Sequence, residues 1–345
     1  MNQRIGVGFV GAGGVVRSIH LPALARMADD FYVGAVWDIN PQAAETVVAR
    51  VGGRVVESFE ELLADESVDV LVVCTPARCH ADHVARGMRA GKRAILCEKP
   101  LAATIEDTQL ILEAAAETNV PLIVGAMHRF DPAWTAVLDV VAELRAEATS
   151  VRSSIVLPFN ARFEQWATEA GPPAAPGSPP EGDMSQYLMR LGVTELAIHD
   201  MPLVRSFLPE GQEVTVTSAS LLSPFGYNIS VSAGDRVVDL FGYMNANWAP
   251  CWELEAISPS TALHVEFPPS FVRAGSGVST VTRQSSSQVF GPAQKNGYEK
   301  EWEAMRDLAR GKGAAIPSVE DVIADFRFAL TIAEQSCALL AKGGA

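Results

Sequence analysis

Three groups of residues in this chain have types and spacings suited to chemistry. The first is Gly11-Ala12-Gly13-Gly14-Val15-Val16, which leaves an apolar run and opens a helical pattern, with Asp38 closing the next apolar run. It matches the first two glycines of the GxGxxG dinucleotide fingerprint, with Val16 where a third Gly or Ala is usual. Gly11 permits the tight turn and Gly13 lets the backbone approach a pyrophosphate, while the helix opening at Gly14 supplies free N–H groups and a positive dipole end. Asp38 is placed to accept hydrogen bonds from the adenosine ribose and to repel a 2′-phosphate. No arginine follows at Ile39 or Asn40, so NAD is predicted over NADP. The second group is Cys97-Glu98-Lys99-Pro100 at the end of another apolar run. Pro100 restricts Lys99 to extended backbone, Glu98 adds a carboxylate, and a lysine at the carboxyl edge of a Rossmann sheet faces the ligand crevice. The third is Glu195 and His199, one α-helical turn apart in TELAIHD, which on a helix share a face and address one substrate.

Other polar clusters carry weaker signals. Cys74, Cys79, His80 and His83 are close in sequence but match no common zinc spacing, so no metal is expected. His80 is expected near the cofactor crevice and His83 and His20 in helices without chemistry; His264 falls in a strand. His128 and Arg129 follow the last strand of the first half, where polar side chains can touch substrate or, for Arg129, tie domains together. Arg162 and Trp166, in the run RFEQW, could line a sugar site by hydrogen bonding and stacking. The Pro/Gly segment at 171–182 reads as a surface loop, with a lid as the alternative.

These residues need a scaffold, and the pattern supplies one. Apolar runs at 4–10, 32–37, 54–56, 68–74, 93–97 and 120–126 alternate with helical segments, the rhythm of βαβ units and a covered parallel sheet. Helix starts are marked by Asn40-Pro41, by Ser58 with Glu61, by Thr104 with Asp107, and by Ser318 with Asp321. Gly91 sits where a left-handed C-terminal residue is wanted. Beyond residue 127 come a helix at 133–146, a strand at 151–157, a helix at 185–207, several strand-like runs across 213–267, and helices at 298–310 and 319–340. The expected fold is α/β: an N-terminal Rossmann doubly wound parallel sheet at 1–127, then a C-terminal α/β domain at 128–345 with a large, mainly antiparallel open sheet.

The bulk properties exclude several partners. With 41 acidic against 27 basic residues the net charge is −14, and no Lys/Arg block stands out, which argues against nucleic acid and anionic membrane surfaces. The five cysteines form no CxxC pair and are expected reduced and buried. The first residues read as structure and not as a signal peptide, and no apolar stretch reaches membrane-spanning length. A cytoplasmic location is expected.

The motif Glu98-Lys99-Pro100, in the run AGKRAILCEKPLAATIEDTQLI, resembles the EKP motif of the Gfo/Idh/MocA oxidoreductases. GFVGAGG at the start, WDIN after the second strand, Thr75-Pro76 with His80, HRFDPAW at 128–134 and GVTELAIHD at 192–200 fall in the same family order. The resemblance implies that Lys99 is the catalytic residue beside the nicotinamide and that the bond to Pro100 is cis. Thr75, Pro76, His80 and Glu98 then join the glycine loop as cofactor-side residues, and the second-domain sheet makes a homodimer or homotetramer. It also implies that His199 is the substrate-side acid/base and that Glu195 stands where the family has Asp. The expected activity is NAD-dependent hydride transfer at a secondary hydroxyl or ketone of a sugar, amino sugar or cyclitol. One alternative is a redox-neutral lyase, epimerase or glycosidase reaction that uses bound NAD; another is a non-catalytic nucleotide-sensing protein.

Overall fold

The computed structural model describes residues 3–158, 182–245, 250–269 and 275–343. They form two compact units, Met1–Gly125 with Tyr298–Ala324 and Ala126–Gly297 with Asp325–Ala345. The expected boundary at 127 therefore needs amendment, because a segment from beyond the second sheet returns to the first unit. Its helix, Gly297–Ala309, carries Trp302, which is fully buried and packs edge-on against Phe31 at 5.2 Å and His20 at 5.8 Å between ring centroids. Arg306 and Arg310 reach Asp30 at 3.3 and 2.8 Å, fixing the same helix by charge.

The first unit is a six-stranded parallel sheet: β1 Ile5–Val10, β2 Phe31–Trp37, β3 Arg54–Val55, β4 Val70–Val73, β5 Ile95–Cys97 and β6 Leu122–Val124, in the order β3-β2-β1-β4-β5-β6. All pairs are parallel, and β1 and β4, at the middle, are buried at every residue, as strands covered on both faces must be. The strand order reverses between β1 and β4, which is the switch point where such sheets open a crevice. The local signals act as their chemistry dictates. Asn40 accepts from the Gln42 N–H at 3.2 Å, Ser58 from the Glu61 N–H at 3.1 Å, and Thr104 and Asp107 bond each other's backbone reciprocally at 3.1 and 3.2 Å. Gly91 adopts φ of +74° after the helix Ala77–Arg89.

The second unit is built on an eight-stranded sheet: β7 Ser150–Pro158, β8 Thr215–Leu221, β9 Phe225–Ala233, β10 Arg236–Asn245, β11 Cys251–Ile257, β12 Thr261–Glu266, β13 Val278–Arg283 and β14 Ser286–Phe290. Its order is β14-β13-β12-β11-β7-β10-β9-β8, antiparallel throughout except for the β7–β10 pair. Burial alternates along the strands: Val151, Ser153, Ile155 and Leu157 of β7 turn inward, while Arg152 and Ser154 face the open side. β13 and β14 extend the sheet past the expected limit at 267. The expected helix at 133–146 is two, Pro132–Thr135 and Leu138–Glu147, with Asp131 capping the first by accepting from the Ala133 N–H at 2.8 Å.

The long helix expected at 185–207 is broken. Met184–Leu191 is α-helical, Gly192–Leu196 is a π-helical turn, Ala197–His199 a 3-10 turn, and Met201–Ser206 is α-helical again. The cause is tertiary. A Cβ on Gly192 would lie 2.7 Å from the buried Tyr227 ring and one on Gly242 only 2.3 Å from it, so the two glycines make the seat on which Tyr227 rests. Holding Gly192 against that ring outweighs a regular hydrogen-bond ladder.

Candidate functional site

The glycine loop leaves β1 with Gly11 at φ +95°, a conformation that favours glycine, and a Cβ there would stand 2.6 Å from the Cys74 carbonyl oxygen. Gly13 and Gly14 are exposed, with no heavy atom within 4 Å of where their Cβ would be, so the helix N-terminus presents bare backbone to an open space. That is the surface a pyrophosphate needs. Asp38, half-exposed at the end of β2, accepts the Ala12 N–H and the Asn40 N–H, each at 2.7 Å. Its carboxylate is thereby fixed beside the loop, on the side where the ribose of a dinucleotide belongs. Val16 departs from its expected place among the cofactor-binding residues. It is fully buried and packs into the core under the loop, so the third fingerprint position here is structural.

At the exits of β4 and β5 the remaining first-unit residues come together. Lys99 is half-buried and followed by a cis peptide bond to Pro100. Glu98 is buried with its carboxylate against Gly125, accepting from His20 Nε2 at 3.0 Å and from the Lys99 N–H at 3.2 Å. Burial pushes the Glu98 carboxyl up, but the bond from His20, the charges of His20 and Lys99 and the Lys99 N–H outweigh it, leaving it below its ordinary value. Glu301, on the returning helix, is 1% exposed, and burial first, then the negative charge of Glu98, hold its carboxyl well above the usual range. Two acids so placed do not both ionise. Glu98, which has the histidine, takes the charge. Thr75 shares a hydrogen bond with His83 at 3.1 Å, and Pro76 is exposed at the start of the helix Ala77–Arg89. His83 packs edge-on to Phe59 at 4.6 Å, and His80 is 1% exposed, bonded on both ring nitrogens to backbone carbonyls.

The second unit contributes a different arrangement. Asp200 is buried and accepts from His128 Nδ1 at 2.9 Å, Ser153 Oγ at 2.7 Å, and Trp252 Nε1 at 3.0 and 2.9 Å. His128 lies flat on Phe267 at 3.8 Å, and His199, half-buried, meets the edge of Trp252 at 5.5 Å. His128 is thus spent on structure instead of standing open for a substrate. Arg129 behaves likewise: its guanidinium pairs with Asp325, which also accepts from Arg205 Nε at 2.5 Å, so it ties elements within the second unit. Glu195 is exposed on the π-helical turn, and the helix break removes the regular one-turn spacing expected between it and His199. Arg162, Trp166 and most of the 171–182 segment lie outside the described residues.

Sequence reasoning missed four participants. His20, taken for an ordinary helix residue, holds Glu98; Glu301, Asp200 and Trp252 carried no signal of their own, although Asp200 adjoins His199. Of the five cysteines, all free, only Cys97 and Cys337 are buried, where all had been expected to be. Among the described residues no cluster of three or more His, Cys, Asp or Glu side chains is placed to hold a metal ion.

A switch-point sheet with an open glycine loop, a fixed acid at the end of the second strand and a lysine at the fifth strand's exit defines a Rossmann unit of the dinucleotide-binding type. Residues 5–126 match the family described as "Oxidoreductase family, NAD-binding Rossmann fold", the Rossmann part of the Gfo/Idh/MocA oxidoreductases. The chain is 32% identical over 218 residues to the inositol 2-dehydrogenase of Rhizobium meliloti (strain 1021), covering 62% of this chain and 58% of that protein, less than two thirds of its length. UDP-N-acetylglucosamine 3-dehydrogenase from Acidithiobacillus ferrooxidans is similar in structure with a TM-score of 0.74 at 17% identity, over 98% of this chain and 100% of that one. A 3-ketoreductase from Actinomadura kijaniata, solved with NADP and TDP-benzene, gives a TM-score of 0.70 at 20% identity, over 96% and 98%. These two likenesses establish the shared fold. Among the described residues no helix is long and apolar enough to cross a membrane.

Proposed function

We propose that the chain is an NAD-dependent oxidoreductase that moves hydride between nicotinamide and a secondary hydroxyl or ketone of a sugar, amino sugar or cyclitol. The observation that carries this reading is the half-buried Lys99 between an ionised, histidine-bound Glu98 and Pro100, in the same unit as the open glycine loop. Gly11, Gly13 and Gly14 would hold the pyrophosphate and Asp38 the adenosine ribose, and when bound the nicotinamide supplies the hydride acceptor or donor. In the oxidation direction Lys99 Nζ takes the hydroxyl proton as hydride leaves the carbinol carbon; in reduction it returns that proton to the oxygen. His199 is the proposed substrate-side acid/base, with Glu195 four residues before it in sequence. Asp38 favours NAD because its fixed carboxylate would face a 2′-phosphate.

The test is a screen of inositols, aldoses, glycosides and keto sugars with NAD, NADP and their reduced forms, read by nicotinamide absorbance. Turnover with net absorbance change that is lost in Lys99→Ala, with NAD binding retained, supports the proposal. Product without net absorbance change points to redox-neutral use. NADP preferred at equal concentration overturns the reading of Asp38. The open face of the second sheet, hollowed between Arg152, Ser154, Asn228, Asp239 and Phe241, is proposed as the homodimer or homotetramer surface; a monomeric mass in solution light scattering would refute that.

A further inference from the structure

The ring of His80 lies between two backbone carbonyls. Nδ1 is 2.8 Å from the Pro100 oxygen and Nε2 is 2.5 Å from the Thr75 oxygen, with the residue 1% exposed. A carbonyl oxygen only accepts, so each nitrogen must donate. A neutral imidazole has one N–H, and its second nitrogen would turn a lone pair on an oxygen at contact distance. Rotating the ring by half a turn would instead aim C–H groups at both oxygens, and such contacts lie at about 3.3–3.6 Å, well beyond these separations. Only the doubly protonated ring satisfies both partners, through two charge-assisted bonds.

The two carbonyls belong to separate strand exits. Thr75 follows β4 and Pro100 follows Lys99 after β5, so the ring cross-links the loop that opens the helix Ala77–Arg89 to the loop that carries Lys99. We propose that His80 is a buried imidazolium brace between these two loops and a positioning residue for Lys99. The brace itself is independent of the reaction; its role toward Lys99 rests on the hydride-transfer reading. Substitution by Gln keeps one donor end and turns an amide oxygen on the other carbonyl, and Phe keeps the ring's bulk with no donor.

The test uses the full chain labelled with [15N]histidine at neutral pH, without ligand. Of six histidines, one is expected to show both ring nitrogens as protonated N–H with slowly exchanging ring protons. It is assigned by its loss in His80→Gln or, should that variant not fold, by elimination through substitutions at the other five. A pair of signals typical of a neutral ring at His80 overturns the brace. For the positioning role, lysines are labelled by 13C reductive methylation and Lys99 is assigned with Lys99→Arg. In His80→Phe the Lys99 signal should narrow toward that of exposed lysines, and with an active substrate kcat should fall on the order of tenfold to a hundredfold while NAD affinity stays within about threefold. An unchanged Lys99 signal overturns the positioning role. Loss of all dehydrogenase activity in the wild-type screen would instead refute the hydride-transfer reading and leave the nitrogen result standing.

Discussion

Replacing Glu301 by Gln should make the protein more stable as pH rises, the reverse of what loss of a buried charged partner would do. Glu301 is 1% exposed, its Oε1 has no hydrogen-bond partner among the described residues, and burial and the charge of Glu98 raise its carboxyl well above the ordinary 4.5. The folded chain therefore keeps a proton that the unfolded chain has released. Where the native state binds more protons, unfolding free energy falls with rising pH. The contribution is complete below the unfolded value and is eroded from there up to the folded value, at ~1.4 kcal/mol per pH unit for one proton. Gln has the shape of the neutral acid and nothing to titrate. At pH 5 the variant should lie close to wild type, and as pH rises above the ordinary carboxylate range it should gain on wild type for as long as the folded chain keeps the Glu301 proton. Glu98, whose carboxyl is lowered, loses its contribution only as pH falls below the ordinary range, so the two windows do not overlap. Urea midpoints and slopes for both proteins at pH 5, 6 and 7 measure the difference. Parallel stability curves, or a variant already much weaker at pH 5, would show that Glu301 is ionised and paired in the fold.

Gly13→Ala should fold normally, because nothing stands within 4 Å of its added methyl, yet lose NAD affinity in fluorescence titration. Gly11→Ala should unfold at lower temperature, because its methyl meets the Cys74 carbonyl at 2.6 Å. Asp200→Ala should cost about 3–5 kcal/mol in denaturant titration, as removing a multiply bonded buried carboxylate strands its donors. His199→Ala should lower kcat/KM by on the order of a hundredfold with NAD affinity intact, and Glu195→Gln by less if Glu195 only orients it. Near-wild-type activity in both would remove this turn from the active site.

The first sheet was legible because its signals are local. Apolar runs covered on both faces, an Asn or Ser at a cap and a glycine at a helix end act within a few residues, and strand ends came within one or two positions of the observed ones. The glycine loop and Asp38 were legible for the same reason, except that Val16 turns inward. What failed depends on distant partners. Gly192 looks like any helix glycine until Tyr227 packs on it, so the break that sets Glu195 and His199 apart from regular spacing was hidden. β13, VSTVTR, buries only Ser279 and Val281, and β14, SSQVF, buries none of its residues, so neither carries an apolar face for the sequence to advertise. The roles of His128 and Arg129 were decided by Asp200 and Asp325, far along the chain, and so was the domain limit, by the seat Phe31 and His20 offer Trp302.

That seat has a consequence for synthesis on the ribosome. The strands and helices of the first unit up to Gly125 emerge early, but the ring faces of Phe31 and His20 wait for Trp302, which follows β14. At about 5–20 residues per second, the whole second sheet is made before the first unit can close. The half of the protein translated first thus cannot close until the second sheet has been made, and in the interval its unsealed edge is the surface a chaperone would meet.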